Sequence, residues 1–149
     1  MEYYKRASLK QLGELLIERG VINQEQLKIA LKQKEASGEL LGEVLVQLNF
    51  ATEKDIAQAL TCQYGFPYLP LANYEIDPEV INAVPENVCR KFCLIPIDKI
   101  GNSLTLAMSN PLNVKAFEGV ELITGCTIQA FVSTAGDIKQ AIDKYYKSG

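Results

Sequence analysis

Between Gln11 and Leu60 the apolar residues fall at helical spacing, and the pattern is written twice. QLGELLIERGVINQEQLKIAL from Gln11 and LLGEVLVQLNFATEKDIAQAL from Leu40 overlay without a gap at an offset of 29 positions. Leu12, Gly13, Glu14, Leu16, Ala30 and Leu31 recur as Leu41, Gly42, Glu43, Leu45, Ala59 and Leu60. In the first copy Leu9, Leu12, Leu15, Leu16 and Ile17 predict one helix, and Leu27, Ala30 and Leu31 the buried face of a second. Gly20 stands where a helix end favours a left-handed residue. Asn23 with Gln26 reads as an N-cap and capping box, and Ser37-Gly38 as the stop. The second copy does the same with other letters: Asn49 for Gly20, Thr52 for Asn23, Asp55 for Gln26, and Ile56, Ala59 and Leu60 for the buried face. Two stacked helical hairpins are expected, each burying the other's stripe.

Gly13 and Gly42 interrupt helical patterns, where glycine costs about 1 kcal/mol against alanine. Either a neighbouring helix or a ligand must come close to the backbone there.

After Gly65 the period disappears. FPYLPLANYEIDPEV carries three prolines and reads as a linker over the surface. Asp77-Pro78 signals a short helix to about Ala83, and Pro85 another ending near Lys91. Cys93 to Asp98 predicts a strand, with Pro96 marking a sheet edge. Gly101-Asn102 is a turn, and Ser103 to Met108 a second strand with Leu104 and Leu106 inward. Asn113 should cap a helix carrying Val114, Phe117, Val120 and Leu122 or Ile123, closed by Gly125. Thr127 to Val132 is a third strand. Ser133 or Thr134 caps a last helix with Ile138, Ala141, Ile142 and Tyr145 on one face. The expected fold class is α+β: a four-helix bundle over residues 1–65, a proline-containing linker and short helix over 66–84, and a small three-stranded sheet with helices packed on it over 85–149.

Composition narrows the chemistry. The 149 residues carry a net charge of −3 and no histidine. No basic cluster longer than Arg90-Lys91 is present to follow a nucleic acid backbone. No apolar run approaches the roughly 20 residues that span a bilayer, and MEYYKRASLKQ has no apolar signal core. Cys62, Cys89, Cys93 and Cys126 lack metal-site spacing and read as small buried residues in a reducing cytoplasm. Neither GxxxxGK[ST], GxSxG nor HExxH occurs. Neither a catalytic site nor a metal site is expected, and no cofactor is required.

The doubled LG motif, the GFPYLPL linker, LTLAMSNPLN and the distal ITGCTIQAFVSTAGDIKQAIDKYY, in that order, resemble the N-terminal domain of type II secretion and type IV pilus assembly ATPases. The resemblance runs from about Ser8 to Tyr146. It implies a regulatory front domain without the P-loop motor. That domain would dock on the cytoplasmic domain of an inner-membrane platform protein and work with an attached or partner motor. A branch of the family binds cyclic di-GMP through two motifs that open Arg-Leu-Gly and close Leu-x-x-x-Leu-x-x-Gln. By motif match, Leu12, Gly13, Leu27, Leu31 and Gln33 fall in the first copy, and Leu41, Gly42, Ile56, Leu60 and Gln63 in the second. The opening arginines are replaced by Gln11 and Leu40, and the first closing glutamine by Lys34, with Gln33 adjacent. A charge-assisted contact is worth about 1.5–3 kcal/mol, so two lost arginines would weaken binding by roughly 100-fold or more. Cyclic di-GMP is therefore a possible ligand on a scaffold that keeps the apolar bed and lacks its strongest polar contacts.

Overall fold

Both copies of the repeat fold as helical hairpins with the same punctuation. The computed structural model describes residues 11–146, the side chains of Gln63 and Tyr64 excepted. Leu9 lies outside them. Helices α1 (Leu12–Glu18) and α2 (Gln24–Ser37) form the first hairpin, and α3 (Leu41–Gln47) and α4 (Glu53–Tyr64) the second. The turns place Gly20 at φ 77 and Asn49 at φ 63, so both equivalent residues are left-handed. Asn23 and Gln26 close a reciprocal capping box, and Thr52 and Asp55 close another 29 residues on. Gly38 and Gly65 end α2 and α4 in left-handed C-caps.

The copies are alike in backbone and unequal in burial. In α4, Ile56, Ala57, Ala59 and Leu60 are buried, because α1, α3 and the sheet all pack on it. In α2, Ala30 is the buried residue. Leu31, expected in the core, is 43% exposed, and Ile29 is 48% exposed. With fewer neighbours to cover it, α2 keeps much of its stripe in water.

The segment after α4 is more than a surface linker. Phe66, Leu71 and Ile76 are buried anchors, and Leu71–Asn73 forms a 3-10 turn. Then come α5 (Pro78–Ile81), capped by Asp77, and α6 (Glu86–Phe92), which ends at Cys93 with φ 54. Strands β1 (Leu94–Ile100), β2 (Ser103–Met108) and β3 (Thr127–Val132) form one sheet in that order. β1 and β2 are an antiparallel hairpin turning at Gly101 (φ 58), with a register shift between Pro96 and Asp98. As Pro96 signalled, β1 is an edge. β2 and β3 are parallel, joined by α7 (Val114–Thr124), which Asn113 caps and Gly125 closes. The last helix, α8 (Ala135–Tyr145), is capped by Thr134.

One sequence expectation for α7 is overturned. Ala116 and Val120 carry the buried face, whereas Leu122 is 88% exposed and Ile123 52%. They occupy the last turn, past the point where α7 meets the sheet core. The cysteine reading also needs correcting: Cys89, Cys93 and Cys126 are buried, but Cys62 is exposed near the end of α4.

Two apolar clusters result. One joins the sheet with α5 to α8. The other joins the four N-terminal helices with Phe66, Leu112 and Val132, so residues from the second half complete the core of the first.

Candidate functional site

The glycines of the doubled motif sit at matched helix crossings. A Cβ built on Gly13 would stand 2.7 Å from Leu27 Cδ1. At Gly42 the nearest atoms are Ile56 Cδ1 at 3.6 Å and Leu12 Cδ2 at 3.7 Å. Leu27 and Ile56 are themselves 29 residues apart, so each hairpin lays the equivalent apolar side chain over its own glycine. At Gly13 the close approach is that of the neighbouring helix. At Gly42 an added methyl would meet only ordinary contacts, so helix packing does not require glycine there.

The other motif residues divide by burial. Leu12, Ile56 and Leu60 are buried in the helical core. Leu27 and Leu41 are half-buried against it, and Leu31 and Gln33 are exposed on α2. The Gln63 side chain lies outside the described residues. Among the described side chains of the mapped set, those left open to a ligand are thus Leu31 and Gln33, with Leu27, Leu41 and Gly42 partly so.

The positions of the motif arginines are informative. Gln11 is exposed at the start of α1. Leu40, at the start of α3, is half-buried and packs against the sheet-side cluster. Beside it, Glu43 Oε2 lies 2.6 Å from Lys139 Nζ on α8. The hydrogen bond to Glu43 raises the Lys139 pKa, against a smaller opposing effect of burial. Glu53, at the first turn of α4, accepts a hydrogen bond from the Gly136 backbone N–H at 3.3 Å, in the first turn of α8. A carboxylate there is favoured by the helix dipole. The second motif copy is therefore fastened to the α/β half by Leu40, Glu43 and Glu53. Sequence reading noted Glu43 as a repeated residue, but its partner on α8 carried no local signal.

Two surface concavities lie on the α/β half, away from the motif. The larger, about 510 Å³, is an open face of the sheet where Ser103, Thr105, Gln129 and Phe131 meet Leu69, Tyr74 and Asp98. The smaller, about 220 Å³, lies between the 3-10 turn and α8. Among the described residues no cluster of His, Cys, Asp or Glu could hold a metal ion, and no helix is long and apolar enough to cross a membrane. Burial pushes the Cys89 and Cys93 thiols up to about 11, so neither is a ready nucleophile.

Comparison with known proteins agrees with the fold. The MshEN domain family model matches residues 64–149. The type IV pilus assembly ATPase PilB of Myxococcus xanthus is 32% identical over 136 residues, covering 91% of this chain and 24% of that protein. The chain thus spans about a quarter of that relative's length. The structure of MshE with cdg (cyclic di-GMP) superposes with a TM-score of 0.68 at 27% identity, covering 93% of this chain and 100% of that one. The N-terminal domain of XpsE superposes with a TM-score of 0.73, covering 99% and 100%; at 22% identity it speaks for the fold.

Proposed function

Because the chain belongs to the MshEN domain family, we propose that it is a non-catalytic regulatory and docking domain of a pilus or secretion ATPase. Its partner is the cytoplasmic domain of an inner-membrane platform protein, and it acts at that membrane through this partner, coupled to an attached or partnering motor. The observation that carries this reading is Leu40. It stands where the cyclic di-GMP motif has arginine, and it is packed against the sheet-side core instead of facing a ligand. With Glu43–Lys139 and Glu53–Gly136, it makes the duplicated hairpin a platform tied to the α/β half. A tied platform transmits force or orientation between partner and motor without chemistry of its own.

A second reading is supported by Gly42. Glycine costs stability in a helix, and packing at this crossing leaves room for a methyl. A nucleotide approaching the α3 backbone would account for it, as would the likeness to MshE solved with cdg. In that reading Leu27, Leu31, Leu41, Gly42, Gln33 and Gln63 receive cyclic di-GMP.

Calorimetric titration with cyclic di-GMP, with GTP and cyclic di-AMP as controls, separates the two. The docking reading expects no saturable heat at micromolar ligand, and retained binding to the immobilised platform domain. Saturable binding of cyclic di-GMP alone, abolished in Leu31→Asp and Gly42→Val, would replace it with the sensor reading.

A further inference from the structure

The backbone of β3 has a polarity that the rest of the sheet fixes. Thr127 N–H donates to Asn102 O at 2.7 Å and Ser133 N–H to Met108 O at 3.0 Å. Thr127, Gln129 and Phe131 therefore turn their backbone groups toward β2, and Ile128, Ala130 and Val132 turn theirs outward. Val132 is satisfied there: its N–H donates to Pro67 O at 2.8 Å, and its O accepts from Leu69 N–H at 2.9 Å. This is a parallel bridge centred on Tyr68. Upstream of it the chain turns at Gly65 (φ 73) into α4, which also contacts β3. Ile128 and Ala130 keep N–H and C=O pointing outward with no hydrogen-bond partner among the described residues.

The two edges of the sheet differ. β1 carries Pro96, a register shift, Asp98 and Lys99, each of which discourages strand addition. β3, Thr-Ile-Gln-Ala-Phe-Val, has no charge, no proline and an unbroken register. We propose that the open edge of β3 at Ile128 and Ala130 is a docking site for an extended segment of another polypeptide, added as a fourth strand in line with Pro67–Leu69.

Three observations choose this occupant. Outward N–H and C=O groups at strand spacing match an extended backbone. The chain's own Pro67–Leu69 segment already fills the last slot of this edge with the same bonds. Alternate side chains of an added strand would lie beside Gln129 and Phe131, at the rim of the 510 Å³ concavity that Leu69 and Tyr74 also line. A second copy of β3 fits less well. Antiparallel pairing of Ile128 with the second Ala130 sets the second Cys126 opposite Val132, where Tyr68 already stands. The inference rests on the docking reading only in that a protein partner is expected.

The test is amide exchange by NMR on the 149-residue chain, with a blocked heptapeptide of alternating Thr and Val as probe. The control is the same peptide N-methylated at alternate residues, in the register that blocks its donors to the edge. The expected result is saturable slowing at Ile128 and Ala130 by about tenfold or more with the first peptide only. Ala130→Pro should abolish it, because that N–H faces outward and the ladder to β2 does not use it. Gln129→Lys, a milder change, should weaken it while the β2 amides stay protected. Equal binding of the methylated peptide, shifts confined to other elements, or no slowing would overturn the proposal. So would concentration-dependent protection of both amides without peptide, which marks self-pairing. If Ala130→Pro still binds the platform domain, this surface is wrong and the docking reading stands.

Discussion

Gly42 and Gly13 occupy the same place in the repeat and should answer differently to one methyl. At Gly42 the nearest atoms are 3.6 Å and farther from an added Cβ. Gly42→Ala should raise stability by about 0.5–1 kcal/mol through helix propensity, read as a higher urea midpoint at unchanged slope. At Gly13 the Cβ meets Leu27 Cδ1 at 2.7 Å, so the leucine must move and the propensity gain should be lost. The equivalent leucines Leu31 and Leu60 differ in the same way. Leu60→Ala, fully buried, should cost about 2–5 kcal/mol, and Leu31→Ala, 43% exposed, under about 1 kcal/mol. The sequence placed these residues on one helical face each, and periodicity could do no more. Whether a face is covered depends on which helices arrive beside it. That is why Leu31, and Leu122 or Ile123, were expected inside and are not. Native thiol labelling should show the contrast for cysteine, with Cys62 reacting and Cys89, Cys93 and Cys126 requiring denaturant.

At the scale of the element, the signals were local and strong. Asn23 and Thr52 cap in reality as they do in the sequence, and Asn49 takes the left-handed turn that Gly20 takes in the other copy. The reason is that caps and turns are decided within about four residues. Thr52→Ala should therefore cost about 1 kcal/mol in urea unfolding, and Asn23→Ala a similar amount. Their effects should add, since the two boxes share no partner. The strands were equally legible from their alternation and from Pro96. The pairing of β2 with β3 in parallel, the bridge from Tyr68 to Val132 and the open stretch of β3 were not, because each joins residues far apart in sequence. The candidate motif was legible as a motif. Ile56 and Leu60 are buried as their spacing predicted; what the sequence hid was that Leu31 stays in water and that Leu40 faces the other half.

For the whole molecule, the contacts between segments far apart in sequence carry the testable chemistry. Tyr146 Oη donates toward Ile81 O and Val84 O, at 2.8 and 2.7 Å, and lies 3.2 Å from Cys89 Sγ. Burial raises the Cys89 and Cys93 pKa from 9.0 to about 11, and raises Tyr146 as well. An acid raised on folding binds its proton longer in the native state. Stability from these groups is thus intact below pH 9.0 and falls as the pH climbs toward 11. The urea midpoint should decline over that window, and less steeply in Cys89→Ala than in the parent. The Lys139–Glu43 pair acts in the same direction, since a lysine raised on folding loses its contribution as it deprotonates. Its lysine is about half exposed, so a double-mutant cycle should return under about 1 kcal/mol.

The tie between Glu53 and Gly136 spans 83 residues, that between Ser133 and Leu69 spans 64, and that between Tyr146 and Ile81 spans 65. Each closes on the last helix, just past its end, or just past the end of the last strand. On the ribosome, the two hairpins emerge early, with their caps and turns set by local contacts. Their core, however, is completed by Leu112 and Val132, which are made late. Assembly must therefore wait for the C-terminal third of the chain, and these long-range contacts should slow refolding. A chain truncated before α8 would keep Leu112 and Val132 but lose Ile138, Ala141 and Ile142 from the sheet core, and with them the tie from Gly136 to Glu53.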